Sequence, residues 1–280
     1  VAPYLHQKRF EIVVVEKNDS QKEVERILTQ MLGPVLERLR LEGALRVFAG
    51  IATLTTFQIH KSREEYTKRG NTLNGPIFGY FQAAYKLVEL RNDAHQSLGC
   101  VKTKILRLRS TPQRGILSTI VKSTDFQNLY QKVMDATGSE SDSESILGRN
   151  NPKLKKIAEL LTEHFERAKA TGKSSRAIVF SQFRDSVSEI VELLKNFKPM
   201  IRARHFVGQQ GSKSSSSAGE GDKRLGGMKQ AEQHQVIKLF REDVFNVLIC
   251  TSIGEEGLDI GQVDLIVNYD TLRSRKLPVD

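Results

Sequence analysis

The sequence predicts an α/β lobe built on a parallel sheet and joined to an all-helical domain. From Ala177 onward, short β-branched apolar runs alternate with amphipathic helical stretches, the pattern of parallel βαβ units crossed right-handedly. Between residues 20 and 134 the apolar period is helical instead. The run Val247–Cys250 also opens directly into a loop carrying Thr251, Ser252, Gly254, Gly257 and Asp259. Open α/β sheets bind ligands at just such carboxyl ends of strands.

Taken in order, Arg9–Lys17 (RFEIVVVEK) reads as a strand by its β-branched composition. Ser20 to Glu23 forms a capping box that opens a helix with Val24, Ile27, Leu28, Met31 and Val35 on one face. Gly33–Pro34 marks a kink or break in it. A second helical stretch covers Ala52–Lys68 and ends at Gly70–Asn71, and a third begins at Pro76. Its Phe78, Phe81, Tyr85 and Val88 share one side, a spacing that assigns them to a core rather than to base stacking. Gln113–Met134 reads as one further helix.

Asp135–Gly148 is acidic and serine-rich, so 135–149 reads as a flexible linker. Asn150–Asn151–Pro152 caps the next helix, whose stripe is Leu154, Ile157, Ala158, Leu161 and Phe165. Strands follow at Ala177–Phe180, Arg204–Val207, Val247–Cys250 and Leu265–Tyr269, with helices at Asp185–Asn196 and Lys229–Arg241. Gly211–Gly227 interrupts them as a polar low-complexity loop.

The 280 residues suffice for one large or two ordinary domains with a sizeable core. The start at Val1 predicts a segment of something longer, with neither signal nor transit peptide, and no apolar run approaches the ~18 residues of a membrane span. Lys and Arg number 43 against 33 Asp and Glu, a formal +10. That balance favours a polyanionic partner, although solvated lysines alone also produce it. Cys100 and Cys250 stand alone and the histidines form no HExxH, so a reducing compartment and no metal site are expected.

From Ala94 to Thr124 there is no acid, while Lys102, Lys104, Arg107, Arg109, Arg114 and Lys122 are basic. A solvated helix face accounts for this run as well as a duplex-backbone contact does. Gly172–Lys173–Ser174 imitates the end of a P-loop, but it precedes a strand, whereas a phosphate cradle needs strand, loop and helix in that order. It is a helix-ending turn. Three other loops do follow strand ends: Ser181–Arg184, Gly208–Gln209 with Met228–Gln230 behind it, and Thr251–Asp259. They offer glycine amides, helix N-termini and hydroxyls, the groups that grip a sugar–phosphate backbone without reading bases.

These loops, in this order, resemble motifs IV, IVa and V of superfamily 2 helicases. TSxGEEGLD looks like motif V of the Hef and Fanconi-anaemia M-type DNA translocases, and their fungal nuclear representatives are similar over most of the chain. The resemblance implies a RecA-like second helicase lobe with a helical insert. Residues 1–19 would supply an edge strand, 20–134 the insert that grips DNA at a junction, and 150–280 most of the sheet. It implies that Gln182, Gly208, Gln209, Thr251 and Ser252 hold the translocated strand, and that Gly257 and Asp259 face the nucleotide across an interlobe cleft. Lys102, Lys104, Arg107, Arg109 and Lys122 would meet duplex, forked or branched DNA. Glu255 and Glu256 receive no role.

ATP and Mg²⁺ would be shared with a first lobe of the same protein. The sequence contains no Walker A lysine, no DEAH-type acid and no motif VI, since after Asn268–Ser274 it reads RKLPVD. No catalytic set is complete, and the chain alone is expected to be inactive as an ATPase. A nuclear DNA-repair role is implied, with the family's histone-fold partner binding outside this chain. Two other readings stay open: an RNA-sensing helicase of the same superfamily, which also carries a helical insert, and a non-catalytic DNA-binding scaffold built from a decayed lobe.

Overall fold

A computed structural model describes residues 9–45, 50–72, 75–138, 151–207, 228–251 and 260–270. Its helical part contains α1 (Asp19–Leu41), α2 (Thr56–Lys68), α3 (Gly75–Gln96), α4 (Leu98–Ser110), α5 (Gly115–Lys122) and α6 (Thr124–Thr137). The α/β part follows as α7 (Pro152–Ala170), β1 (Ala177–Ser181), α8 (Arg184–Leu194), β2 (Ala203–Phe206), α9 (Gln230–Arg241), β3 (Val247–Thr251) and β4 (Leu265–Asn268). The four strands run in the order β2-β3-β1-β4, and every pairing is parallel.

Each part has its own core. In the helical part α1 lies along α3, and α3 also packs against α2, α4 and α5. Leu28, Leu32, Leu87, Val88, Val101 and Leu129 are among the side chains sealed there. In the α/β part, the apolar stripe of α7 is buried at all five expected positions. It joins Val179, Ile190, Leu248 and Phe240 in the second core. Both central strands, β1 and β3, are buried on both faces, which is why their runs are apolar without alternation.

Local chemistry sets the boundaries. Asn151 accepts from the amides of Lys153 and Leu154, and Pro152 occupies the first turn of α7. The helix ends in a left-handed Gly172 (φ 66°), with the Lys173 amide donating back to Ala168 O. The apparent P-loop triplet is therefore a C-terminal helix turn. The box that opens α1 sits two residues earlier than expected: Asn18 accepts from the Gln21 amide, and the Gln21 side chain accepts from the Asn18 amide.

Other expectations also differ from the structure. Gly33–Pro34 does not break α1, which runs through Pro34 because its apolar face continues into Val35, Leu36 and Leu39. The stretch Gln113–Met134 divides at Ser123, whose hydroxyl accepts from the Phe126 amide and starts α6 afresh. Arg9–Lys17 forms no strand within the described sheet. Phe10, Ile12 and Val14 stand 81%, 77% and 84% exposed. A β-branched run becomes a strand only where a neighbour supplies ladder bonds, and the described sheet places β2 and β4 at its edges. The expected linker 135–149 starts too early, since Asp135–Thr137 belong to α6. The rest of it from 139 on, and the loop Gly211–Gly227, lie outside the described residues.

Candidate nucleic-acid interface

Because all four strands run the same way, their carboxyl ends share one edge. Ser181 stands beside Thr251 in the β1–β3 register, Phe206 beside Cys250, and Phe180 beside Asn268. That edge carries the loop after β1, the chain leaving β2 at Val207, the end of β3, and Asp270 beyond β4.

The loop after β1 is held by a buried carboxylate. Asp270, 5% exposed, accepts from Ser181 Oγ and from the Gln182 amide, each at 2.7 Å. The Phe183 amide donates to Ser181 Oγ at 3.2 Å, completing a tight turn. Gln182 is thereby presented to solvent on a fixed backbone. Thr251 closes β3 with its side chain buried. Gln233 of α9 donates to Val207 O, fixing the chain where β2 ends. Gly208, Gln209, Ser252, Gly257 and Asp259 lie outside the described residues.

Asp270 was not among the residues predicted from the sequence, nor was Lys153, whose ammonium faces Asp270 Oδ1 at 3.5 Å. The signal for Asp270 was available, since it ends the run DLIVNYD at a strand's carboxyl end. Nothing local in the sequence marks Lys153.

The basic run of the insert divides by environment. Arg107 and Lys122 are exposed. Arg109 is exposed too, with its guanidinium 3.8 Å from the centre of the Tyr130 ring. Lys102 is half-buried and donates to Gly138 O at 3.0 Å. Lys104 departs from the expectation of an unneutralised cation: it pairs with Asp93 Oδ2 at 2.7 Å and Glu89 Oε1 at 3.0 Å. The run is free of acid in sequence, but α3 brings two carboxylates to it in space. Burial pushes the Asp93 carboxyl up to about 6 even beside this ammonium. Burial opposes the Lys104 charge, yet Asp93 and Glu89 more than offset it and raise the Lys104 pKa. The ion pair is a structural tie within the insert.

The insert meets the lobe at the α3–α4 turn. Asn151 Nδ2 donates to Gln96 O at 3.0 Å, and Lys153 Nζ to Gln96 Oε1 at 2.7 Å. Ser97 Oγ donates to Glu189 Oε1 of α8 at 2.7 Å. Gly99 sits so close to that carboxylate that an added Cβ would collide with Glu189 Oε1. A cleft of about 320 Å³ opens beside this contact, lined by Gln96 and Lys104 on the insert and by Gln182, Phe183 and Arg184 on the lobe.

At the opposite edge, Ser175 Oγ donates to Asp264 Oδ2 at 2.9 Å and stands 2.8 Å from His164 Nε2. The serine proton is committed to the carboxylate, so this trio closes the sheet's amino end and is no hydrolytic triad. Among the described residues, no group of His, Cys, Asp and Glu could hold a metal ion, and no helix is long and apolar enough to cross a membrane.

Comparison with known proteins places this architecture. Residues 152–277 match the helicase conserved C-terminal domain. The Fanconi anemia group M protein of Gallus gallus is 32% identical over 98% of this chain, which spans 14% of that protein. The ATP-dependent DNA helicase MPH1 of Pyricularia oryzae is 33% identical over 97% of the chain, which spans 24% of it. The crystal structure of the Pyrococcus furiosus Hef helicase domain superposes with a TM-score of 0.68 and 26% identity, covering 96% of this chain and 50% of that one. Residues 152–277 therefore carry the helicase conserved C-terminal domain, and over nearly all of its length the chain is similar to the Fanconi anemia group M, MPH1 and Hef helicases.

Proposed function

We propose that this chain is the second lobe and helical insert of an ATP-dependent DNA translocase that remodels forked or branched DNA during repair in the nucleus. The observation that carries the reading is the shared carboxyl edge of the parallel sheet. There Asp270 holds the Gln182 loop open to solvent while the insert stands across a cleft from it. A rigid turn that holds the exposed Gln182 side chain in one place suits a phosphate backbone, which needs positioning but no base readout. Relatives named ATP-dependent DNA helicases support the same reading.

In this reading Gln182, Gly208, Gln209 and Ser252 follow one strand, while Thr251, whose side chain is buried at the end of β3, is no hydroxyl contact. ATP with Mg²⁺ sits between this lobe and a first lobe, facing Gly257 and Asp259, which lie outside the described residues. A histone-fold partner binds elsewhere in the protein. The insert meets duplex through Arg107, Arg109 and Lys122, with Lys102 at the margin. Lys104 drops out of that set, because its charge is already met by Asp93 and Glu89.

Fork binding tests it. Each duplex phosphate neutralised steepens the log–log salt dependence by roughly 0.9. Reversing Arg107→Glu together with Lys122→Glu is expected to weaken fork binding and flatten the slope by about two if both touch phosphate. Lys104→Gln should leave the slope unchanged and lower the melting temperature instead. An unchanged slope in the double variant would return the exposed cations to the status of a solvated helix face. Equal binding of double-stranded RNA by the parent chain would favour an RNA-sensing helicase.

A further inference from the structure

The groups that hold the strand-gripping loop also hold the insert. Asp270 uses Oδ2 for Ser181 and the Gln182 amide, and turns Oδ1 toward Lys153. Lys153 is the second residue of α7, fixed there by the Asn151 cap, whose side chain also donates to Gln96 O. Its ammonium lies 4.3 Å from the centre of the Tyr269 ring and donates to Gln96 Oε1, on the last residue of α3. One cation therefore touches a carboxylate on the lobe's ligand edge and an amide on the insert. Burial pulls the Lys153 pKa below the usual ammonium range while Asp270 opposes that shift. The charge is worth keeping only if its partners stay in place.

We propose that Lys153 is a positioning residue that couples the insert to strand engagement, through the relay Gln96–Lys153–Asp270–Gln182. If the insert tilts, Gln96 draws on Lys153, Asp270 loses its counter-charge, and the Gln182 turn loosens. Engagement of a strand by that turn conversely sets the stance of the insert. The reciprocity follows from linkage, since two sites that bias one network must bias each other equally. This rests on the reading of Gln182 as a strand contact. Asp270 and Lys153 touch no strand themselves in this scheme.

The experiment uses the full chain and two readouts: anisotropy with a labelled oligothymidine, and hydrogen exchange of the Gln182 amide. Gln96→Ala and Lys153→Met should each weaken strand binding by about fivefold, the size typical of residues sharing one hydrogen-bond network. Both should also speed exchange at Gln182, although Gln96 lies on the insert. Lys153→Arg, which keeps a donor toward both partners, should recover most of the affinity. In a Gln182→Ala background, Gln96→Ala should cost nothing more.

Thermal melts separate a loosened turn from a failed fold, and Gln96→Ala, a half-buried truncation, serves if Lys153→Met does not fold. The relay is overturned if Gln96→Ala leaves both exchange at Gln182 and affinity at wild-type values, or if its loss simply adds to that of Gln182→Ala. Should Gln182→Ala itself bind oligothymidine normally, the strand-contact reading fails. The relay is then judged by exchange alone, which needs no DNA.

Discussion

Replacing Glu189→Gln stabilises the chain near pH 8 and leaves it unimproved near pH 4.5. Glu189 lies on α8 against the α3–α4 turn, with Oε1 accepting from Ser97 Oγ and Cys100 Sγ nearby at 3.9 Å. The residue as a whole is half-buried, but its Oε2 is sealed from solvent and has no hydrogen-bond partner among the described residues. Burial pushes the carboxyl up to about 7; the Ser97 hydroxyl resists, the neighbouring Asp185 adds to the shift, and the Cys100 contact resists weakly. The Cys100 thiol is itself driven upward, by burial and then by the Glu189 charge.

The sign follows from proton counting. Between the ordinary value of 4.5 and about 7, the folded chain keeps a proton that the unfolded chain has released. Stability therefore falls as pH rises through that window and is flat above it. The shift corresponds to about 3 kcal/mol at ~1.4 kcal/mol per unit. A glutamine amide in the same place can still accept from Ser97. Its NH₂ meets a site without an acceptor, which takes back about 1–2 kcal/mol. The expected net gain near pH 8 is about 1–2 kcal/mol, visible in urea denaturation. The decisive quantity is the difference between variant and parent, which should grow by about 3 kcal/mol from pH 4.5 to 7. A difference independent of pH would mean that Glu189 titrates at an ordinary value.

How far the sequence carries is clear from particular residues. The α7 stripe and its Asn151–Pro152 start were legible because both are local: period, cap and proline sit within one helix. The parallel sheet was legible for a related reason, since β1 and β3 are buried on both faces and read as unbroken apolar runs. Arg9–Lys17 carries the same composition and forms no described strand, because pairing depends on an edge that composition does not encode. Phe81 and Val88 are core as their spacing predicted, whereas Phe78 and Tyr85 on the same side are 38% and 40% exposed. The packed face of α3 is narrower than its aromatic stripe.

At the candidate site the limit is charge in three dimensions. Lys104 and Arg107 look alike in sequence, but Asp93 and Glu89 meet one of them and leave the other in water. Asp270 and Lys153 are far apart in the chain and meet only once the β4 end lies beside the start of α7. Loop motifs are legible because glycines and hydroxyls cluster in sequence. The buried groups that hold such loops come from elsewhere.

The second large effect belongs to Arg91. Replacing Arg91→Met should destabilise the chain by about 3 kcal/mol, a large fraction of the ~5–15 kcal/mol typical of a folded domain. Arg91 is 2% exposed in the middle of the insert. From α3 its Nη1 donates to Ile51 O and its Nη2 to Leu54 O. Those carbonyls bracket the 3₁₀ turn Ile51–Thr53 that leads into α2, so one guanidinium fork pins that entry against α3. Methionine is long and flexible enough to fill the space, which keeps any cavity small. Two carbonyls nevertheless lose charged donors, at about 1.5–3 kcal/mol each. Relief from holding a guanidinium out of water returns part of that cost. Arg91→Lys should fall between, because a single ammonium lacks the fork geometry that reaches two carbonyls in one plane. Urea midpoints at constant m-value test the series, and amide exchange across Leu54–Phe57 should rise in step. A methionine variant within about 0.5 kcal/mol of the parent would show that water satisfies both carbonyls, and that apolar packing of α1 on α3 alone holds the insert together.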